Sequence, residues 1–159
     1  VGRMQNAACF ILVAVLFMAC GGKPDSGPPP DLFVPDAVNN PPEDFKGNDV
    51  VKRHRFARLN PAALQRLAAV GSRVRLNLFD DLALIAVFTD SKPGITQSRN
   101  HAGHLEADPK SSVMLTFTQE VMSGAVTTGD GRQFQISHID ADNYAIFEIA
   151  PPTGRLKGN

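Results

Sequence analysis

The sequence predicts a mainly β fold: an antiparallel sandwich or a curled, barrel-like sheet of seven or eight strands, with one short helix at about residues 61–70. Three observations predict it. From Ser72 onward the apolar residues recur with period two. Turn signals punctuate the chain at short intervals: Asp80-Asp81, Pro93-Gly94, Asp108-Pro109-Lys110, Asp130-Gly131 and Asp140-Ala141-Asp142-Asn143. One stretch alone, Asn60 to Gly71, carries the start and stop chemistry of a helix.

Val50 to Arg58 reads as the first strand, with Val51 and Phe56 among charged residues. The helix follows. Asn60 suits the N-cap because its side-chain oxygen can accept from an unsatisfied amide, Pro61 occupies the first helical position, and Gly71 supplies a left-handed stop. Leu59 and Leu64 stand at the two hydrophobic-staple positions, and Leu64, Leu67 and Ala68 form one apolar stripe for docking on a sheet.

Val74, Leu76 and Leu78 then alternate with Arg73, Arg75 and Asn77, the pattern of a half-buried strand. Leu82 to Thr89 is apolar enough to be covered on both faces, Ser91 to Asn100 reads as a loop, and Ala102 to Ala107 as a strand. Asp108-Pro109-Lys110 turns this strand into Val113-Leu115-Phe117, and Gln119-Glu120 turns the next into Val121–Thr128. Asp130-Gly131 has the composition of a type I′ hairpin turn, since both residues accept positive φ, and joins Val126-Thr128 to Phe134-Ile136. The last turn leads into Tyr144–Ile149.

At 159 residues one folded domain is the natural reading, and 43% hydrophobic with 20% charged residues suits a packed core rather than a disordered chain. Sixteen basic residues balance sixteen acidic ones, so no general attraction to nucleic acid exists and none is expected as a partner. The one basic concentration, Lys52-Arg53-His54-Arg55 with Arg58, reads as an exposed strand face in preference to a polyanion site.

The N-terminal segment points to export. Arg3 precedes the apolar run Ala7–Ala19, which has the length of a signal-peptide h-region and falls short of the ~20 residues a spanning helix needs. Ala19 before Cys20 resembles a bacterial lipoprotein cleavage box that makes Cys20 the lipidated first residue, although Phe17 and Met18 depart from its usual residues. Ordinary signal-peptidase cleavage after Ala19 is the alternative. Gly21 after Cys20 resembles lipoproteins sent on to the outer membrane. The expected organisation is a signal peptide at 1–19, Cys20 with a Pro/Gly-rich tether at 20–48, a β-rich domain at 49–150 and a linker stub at 151–159. Leu32, Phe33, Val34 and Phe45 are the tether residues able to touch a domain surface. No cysteine follows Cys20, so no disulfide and no thiol chemistry is expected beyond it.

The densest His and carboxylate cluster is His101 to Asp108. On a continuous strand His104, Glu106 and Asp108 would share one face, with His101 on the other, which makes those three the metal candidates. Three ligands at period two without a fourth are outweighed by a polar, solvent-facing strand side. Met122-Ser123-Gly124 lacks a nucleophile elbow, Asp80-Asp81 reads as a turn, and Asp140–Asn143 lacks the Gly and Glu of a calcium loop. No catalytic residue and no cofactor are nominated.

Two segments carry a family resemblance: Leu76-Asn77-Leu78-Phe79-Asp80-Asp81, and Gly103-His104-Leu105-Glu106-Ala107-Asp108-Pro109-Lys110-Ser111-Ser112-Val113-Met114-Leu115-Thr116. They resemble the N-terminal pro-region of secreted bacterial reprolysin-like zinc metalloproteases, including the peptidyl-Asp endopeptidases. The resemblance covers roughly Val51 to Ile149, and no His-Glu-x-x-His occurs anywhere. It implies a non-catalytic, pro-domain-like module that assists folding and latency of a zinc metalloprotease catalytic domain, in cis or in trans. Where this chain has His101 or Ala102 the family often has an aromatic residue. The competing readings are a stand-alone surface lipoprotein that binds protein or glycan, and a trans-acting metalloprotease inhibitor.

Overall fold

The alternation that starts at Val74 recurs along the chain until the sheet curls back on itself. The computed structural model describes residues 27–34, 50–67, 69–95, 97–118, 121–140 and 142–150. Its elements are β1 (Phe33–Val34), β2 (Val51–Leu59), α1 (Pro61–Arg66), β3 (Arg73–Phe79), β4 (Leu82–Pro93), β5 (Ser98–Leu105), β6 (Asp108–Thr118), β7 (Val121–Thr127), β8 (Gln133–Asp140) and β9 (Asn143–Ile149). These nine strands form one sheet in the order β1-β2-β9-β8-β7-β6-β5-β4-β3, with neighbours antiparallel.

Residues at the start of β1 then reach the far edge. Asp31 bridges Arg75 in parallel, Leu32 N–H donates to the Arg75 carbonyl at 2.8 Å, and Arg75 N–H donates to the Pro30 carbonyl at 2.9 Å. The result is a nearly closed barrel, a shape that limits the exposed strand edge an open sheet carries. Inside it Val74, Leu76, Leu78, Leu115 and Ile136 have no exposed surface, and burying each such side chain stabilises the fold by about 1.5–3 kcal/mol.

The helix begins as its sequence dictates. Asn60 Oδ1 accepts from Ala62 N–H at 3.0 Å, and Pro61 follows at the first helical position. It stops at Arg66, short of residue 70, because the chain must bend down to β4. Gly71, at φ +86°, lies in that link and donates its N–H to the Phe88 carbonyl at 2.7 Å. Ala63 and Leu67 are buried, while Leu59 and Leu64 pack partly covered against the core.

Four expectations are corrected. The domain starts well before Asp49: Leu32 and Phe33 are fully buried, so residues 30–34 belong to the barrel and supply its ninth strand. β4 is covered on one face only. Ala86 and Phe88 point into the core, whereas Ala83 and Thr89 on the other side are exposed. Much of the stretch Ser91–Asn100 is strand rather than loop, since Lys92 pairs with Asn100 and Pro93 with Arg99.

The turns account for the fourth. β5 ends at Leu105, which pairs with Asp108, so the turn is Glu106-Ala107 and Asp108 already belongs to β6. At Asp130-Gly131 only Gly131 has positive φ, +88°. Gly131 N–H donates to the Thr128 carbonyl and Thr128 N–H to that of Arg132, both at 2.9 Å. This is a three-residue hairpin loop with a left-handed glycine, not a two-residue type I′ turn. The signal-peptide and lipidation expectations, Cys20 included, lie outside the described residues.

Candidate functional site

Antiparallel hairpins give the barrel two ends. At the helix end stand α1 and the links β4–β5, β6–β7 and β8–β9. At the other stand the turns β3–β4, β5–β6 and β7–β8, with the start of β2 and the end of β9. This second end is the charged one.

Period two explains how charge enters it. Tyr144, Ile146 and Glu148 of β9 face inward in register with Ala57, Arg55 and Arg53 of β2. Glu148 keeps 8% side-chain exposure and accepts from Arg53 Nε at 2.7 Å and from Arg132 Nε and Nη2 at 3.2 Å each. Arg53 Nη1 continues to Asp81 Oδ1 at 2.7 Å. Both guanidiniums rest on aromatic faces, Arg53 4.0 Å above Phe79 and Arg132 5.0 Å above Phe134. Burial works to raise the Glu148 pKa, but the hydrogen bonds from Arg132 and Arg53 outweigh it and hold the carboxyl below its ordinary value. Asp81 is likewise held low, chiefly by Arg53.

Beside this network a cleft of about 700 Å³ opens between β4, the β5–β6 turn and the β7–β8 loop. Its floor is apolar, formed by Leu84, Ile85 and Leu105, and its rim carries Glu106, Lys110 and Arg132. Neighbours hold the rim in place. Arg73 Nη2 donates to Glu106 Oε2 at 2.8 Å, Asp108 accepts from the amides of Gly129 and Lys110, and Thr128 and Asp130 are joined through their side-chain oxygens. An apolar floor under a rim of both charge signs suits a ligand with an apolar body and polar ends.

The metal candidates separate. His104 faces outward on β5 opposite Val87, Glu106 sits in the turn against Arg73, and Asp108 is tied to the β7–β8 loop. Among the described residues no group of three His, Cys, Asp or Glu side chains is gathered to hold a metal. The physical reason is the turn: a continuous strand from His101 to Asp108 would align the three, and the reversal at Glu106-Ala107 takes them apart.

The remaining candidates also find ordinary places. Arg53 and Arg55 point inward and Lys52 and His54 outward, so the basic run forms no single face. Ser123 is exposed on the outer wall, and Gly124 lies where a Cβ would meet Leu115 Cδ2 at 2.6 Å. Asn143 Nδ2 donates to Asp140 Oδ1 at 2.6 Å across the last turn. His101 fills the core position in question, edge-on to Phe88 and Phe117 at centroid distances of 6.2 and 5.5 Å. The Glu148–Arg132 pair was missed in the sequence. Its signal was a lone carboxylate on the inward register of an otherwise apolar strand.

Compared with protein-family models, curated proteins and solved structures, the chain matches none of them.

Proposed function

We propose that this chain is a non-catalytic binding module, exported and held at the cell envelope by lipid on Cys20, which takes a protein or glycan partner at its charged end. One observation carries the reading. Residues 30–32 join the barrel beside the start of β3, at the helix end, while the 700 Å³ cleft opens at the opposite end. A lipid anchor upstream of residue 30 therefore leaves the cleft directed away from the membrane.

A second reading makes the partner a reprolysin-like zinc metalloprotease catalytic domain. It is favoured by a coincidence in space: the two resembling segments, 76–81 and 103–116, both turn at the charged end, through Asp80-Asp81 and Glu106-Ala107. Their distinctive residues also support the fold. Ser111 Oγ accepts from Leu105 N–H at 2.7 Å, and at Gly103 a Cβ would lie 2.0 Å from the Val87 carbonyl oxygen. Since β1 engages strands on both sides, such a protease would meet the cleft end rather than pair with the sheet.

The test has two arms. Radiolabelled fatty acid should mark the wild type and not Cys20→Ser. The folded protein should then be screened against glycan and peptide arrays and titrated against a reprolysin-like catalytic domain, beside Lys110→Ala. Binding weakened by Lys110→Ala supports the cleft, and inhibition of peptide cleavage selects the protease. Equal lipid labelling, or binding indifferent to Lys110, overturns the corresponding arm.

A further inference from the structure

The helix end differs from the charged end in composition. Five large apolar side chains are exposed among the described residues, and three of them stand at this end: Ile95 at 87%, Val70 at 65% and Val121 at 41%. They come from successive parts of the rim, the α1–β3 link, the β4–β5 tip and the start of β7. The segments 67–72 and 93–98 contain no charged residue, and Arg66, Lys92 and Arg99 flank them. Asp140, the last residue of β8, and Asp142 of the β8–β9 link are set apart from Val70 and Ile95 by β7 and β6 in the sheet order and stand one strand beyond Val121. Glu120 follows β6 in the sequence.

The path of the chain gives the arc its partner. Pro30 and Asp31 are already bonded to Arg75 beside the start of β3, so only the nine residues Gly21 to Pro29 separate Cys20 from the barrel. Fully extended, they let Cys20 reach about 35 Å from Pro30, less than half the reach a tether running to residue 48 would have. They join at the same end as Val70 and Ile95.

We infer that the helix-end turns of the barrel rest on the lipid surface, with Ile95, Val70 and Val121 dipping among the headgroups and the cleft facing away. The inference depends on the lipid-anchor reading. A tether of this length keeps the turns at an effective concentration in the millimolar range against the bilayer, so a contact too weak to recruit the domain from solution is enough to orient it. Around Val70 and Ile95 apolar tips are flanked by cations, of which Lys92 is paired with Asp90 at 2.5 Å, and apolar tips beside cations are the chemistry of such interfacial contacts. Among the described residues no helix is long and apolar enough to cross the membrane.

The chain contains no tryptophan, which makes the placement measurable. The chain from Cys20 onward would be coupled through the Cys20 thiol to a maleimide lipid in phosphatidylcholine–phosphatidylglycerol vesicles. Single reporters Ile95→Trp and Val70→Trp would be compared with Val50→Trp, an exposed valine at the charged end. The expected result is blue-shifted emission from the first two, quenched several-fold more by brominated lipid than that from position 50. If all three remain in water, or all are quenched alike, on vesicles that carry the folded protein, the inference fails. Chemical coupling makes this independent of cellular lipidation, which flotation of the expressed wild type against Cys20→Ser reports separately.

Discussion

The side-chain amide of Asn77 holds both main-chain polar groups of Phe33: Oδ1 accepts from Phe33 N–H at 3.0 Å and Nδ2 donates to the Phe33 carbonyl at 2.8 Å. A side chain thus continues the backbone pairing that begins between Leu32 and Arg75, and it fastens the first strand across the seam of the barrel.

Asn77→Ala should therefore cost about 2–4 kcal/mol, two hydrogen bonds plus a buried main chain left unpaired. The loss should be local. Amide exchange at Phe33 and Val34 should accelerate well beyond that of β6 and β7, as hydrogen-exchange mass spectrometry would show. A uniform change across all strands would mean that Asn77 supports the whole barrel rather than the first strand.

Glu148 gives a second prediction. Arg53 and Arg132 keep about a third of their side-chain surface exposed while Glu148 keeps 8%, so Glu148→Gln should cost about 3 kcal/mol, the low end for breaking a buried pair. Its carboxyl titrates below the ordinary 4.5 in the folded chain. The stabilisation is complete above that value and disappears as pH falls through the folded pKa. Urea midpoints measured from pH 7 to pH 3 should fall steeply for the wild type and less for Glu148→Gln. Parallel curves would place the acid sensitivity elsewhere.

Much of this fold is legible in the sequence because it depends on local pattern. Val74, Leu76 and Leu78 declare an inward face, and Asn60-Pro61 declares a helix start, without reference to anything distant. What escapes the sequence depends on partners far along the chain. Leu32 and Phe33 sit in a Pro/Gly-rich segment with no periodicity, and their burial comes from Arg75, Asn77 and Leu59, more than twenty residues away. The charged end is hidden for the same reason. Arg53 and Glu148 lie 95 residues apart, and only the closing of the β2–β9 pair places them together. The metal alignment failed on a shift of turn position, since Leu105 pairing with Asp108 moved the reversal two residues back and separated Glu106 from His104.

Gly103 is where β4 and β5 leave no room for a side chain: an added Cβ would lie 2.0 Å from the Val87 carbonyl oxygen and 2.9 Å from Phe88 Cα. Both neighbours are backbone, so Gly103→Ala must part β4 from β5, at a cost of about 3 kcal/mol. Chemical denaturation would measure it. A stability change near zero would show that the two strands can separate there without strain.

His101 supplies the last prediction. It is 4% exposed, its Nδ1 has no hydrogen-bond partner among the described residues, and phenyl rings stand on two sides. Burial, and then the charge of Arg99, lowers its pKa below the ordinary 6.5. The unfolded chain therefore takes up a proton at a higher pH than the folded one. Stability is complete above about pH 6.5, declines as pH drops from there towards the folded pKa, and declines no further below it on this account. His101→Phe keeps an aromatic side chain between Phe88 and Phe117 and removes the titration. Relative to the wild type it should gain stability at pH 5 that it lacks at pH 8, read as a difference in urea midpoints. Imidazole proton shifts followed by NMR in the wild type should show His101 titrating below pH 6.5. An equal effect of His101→Phe at both pH values would leave the ring as packing alone.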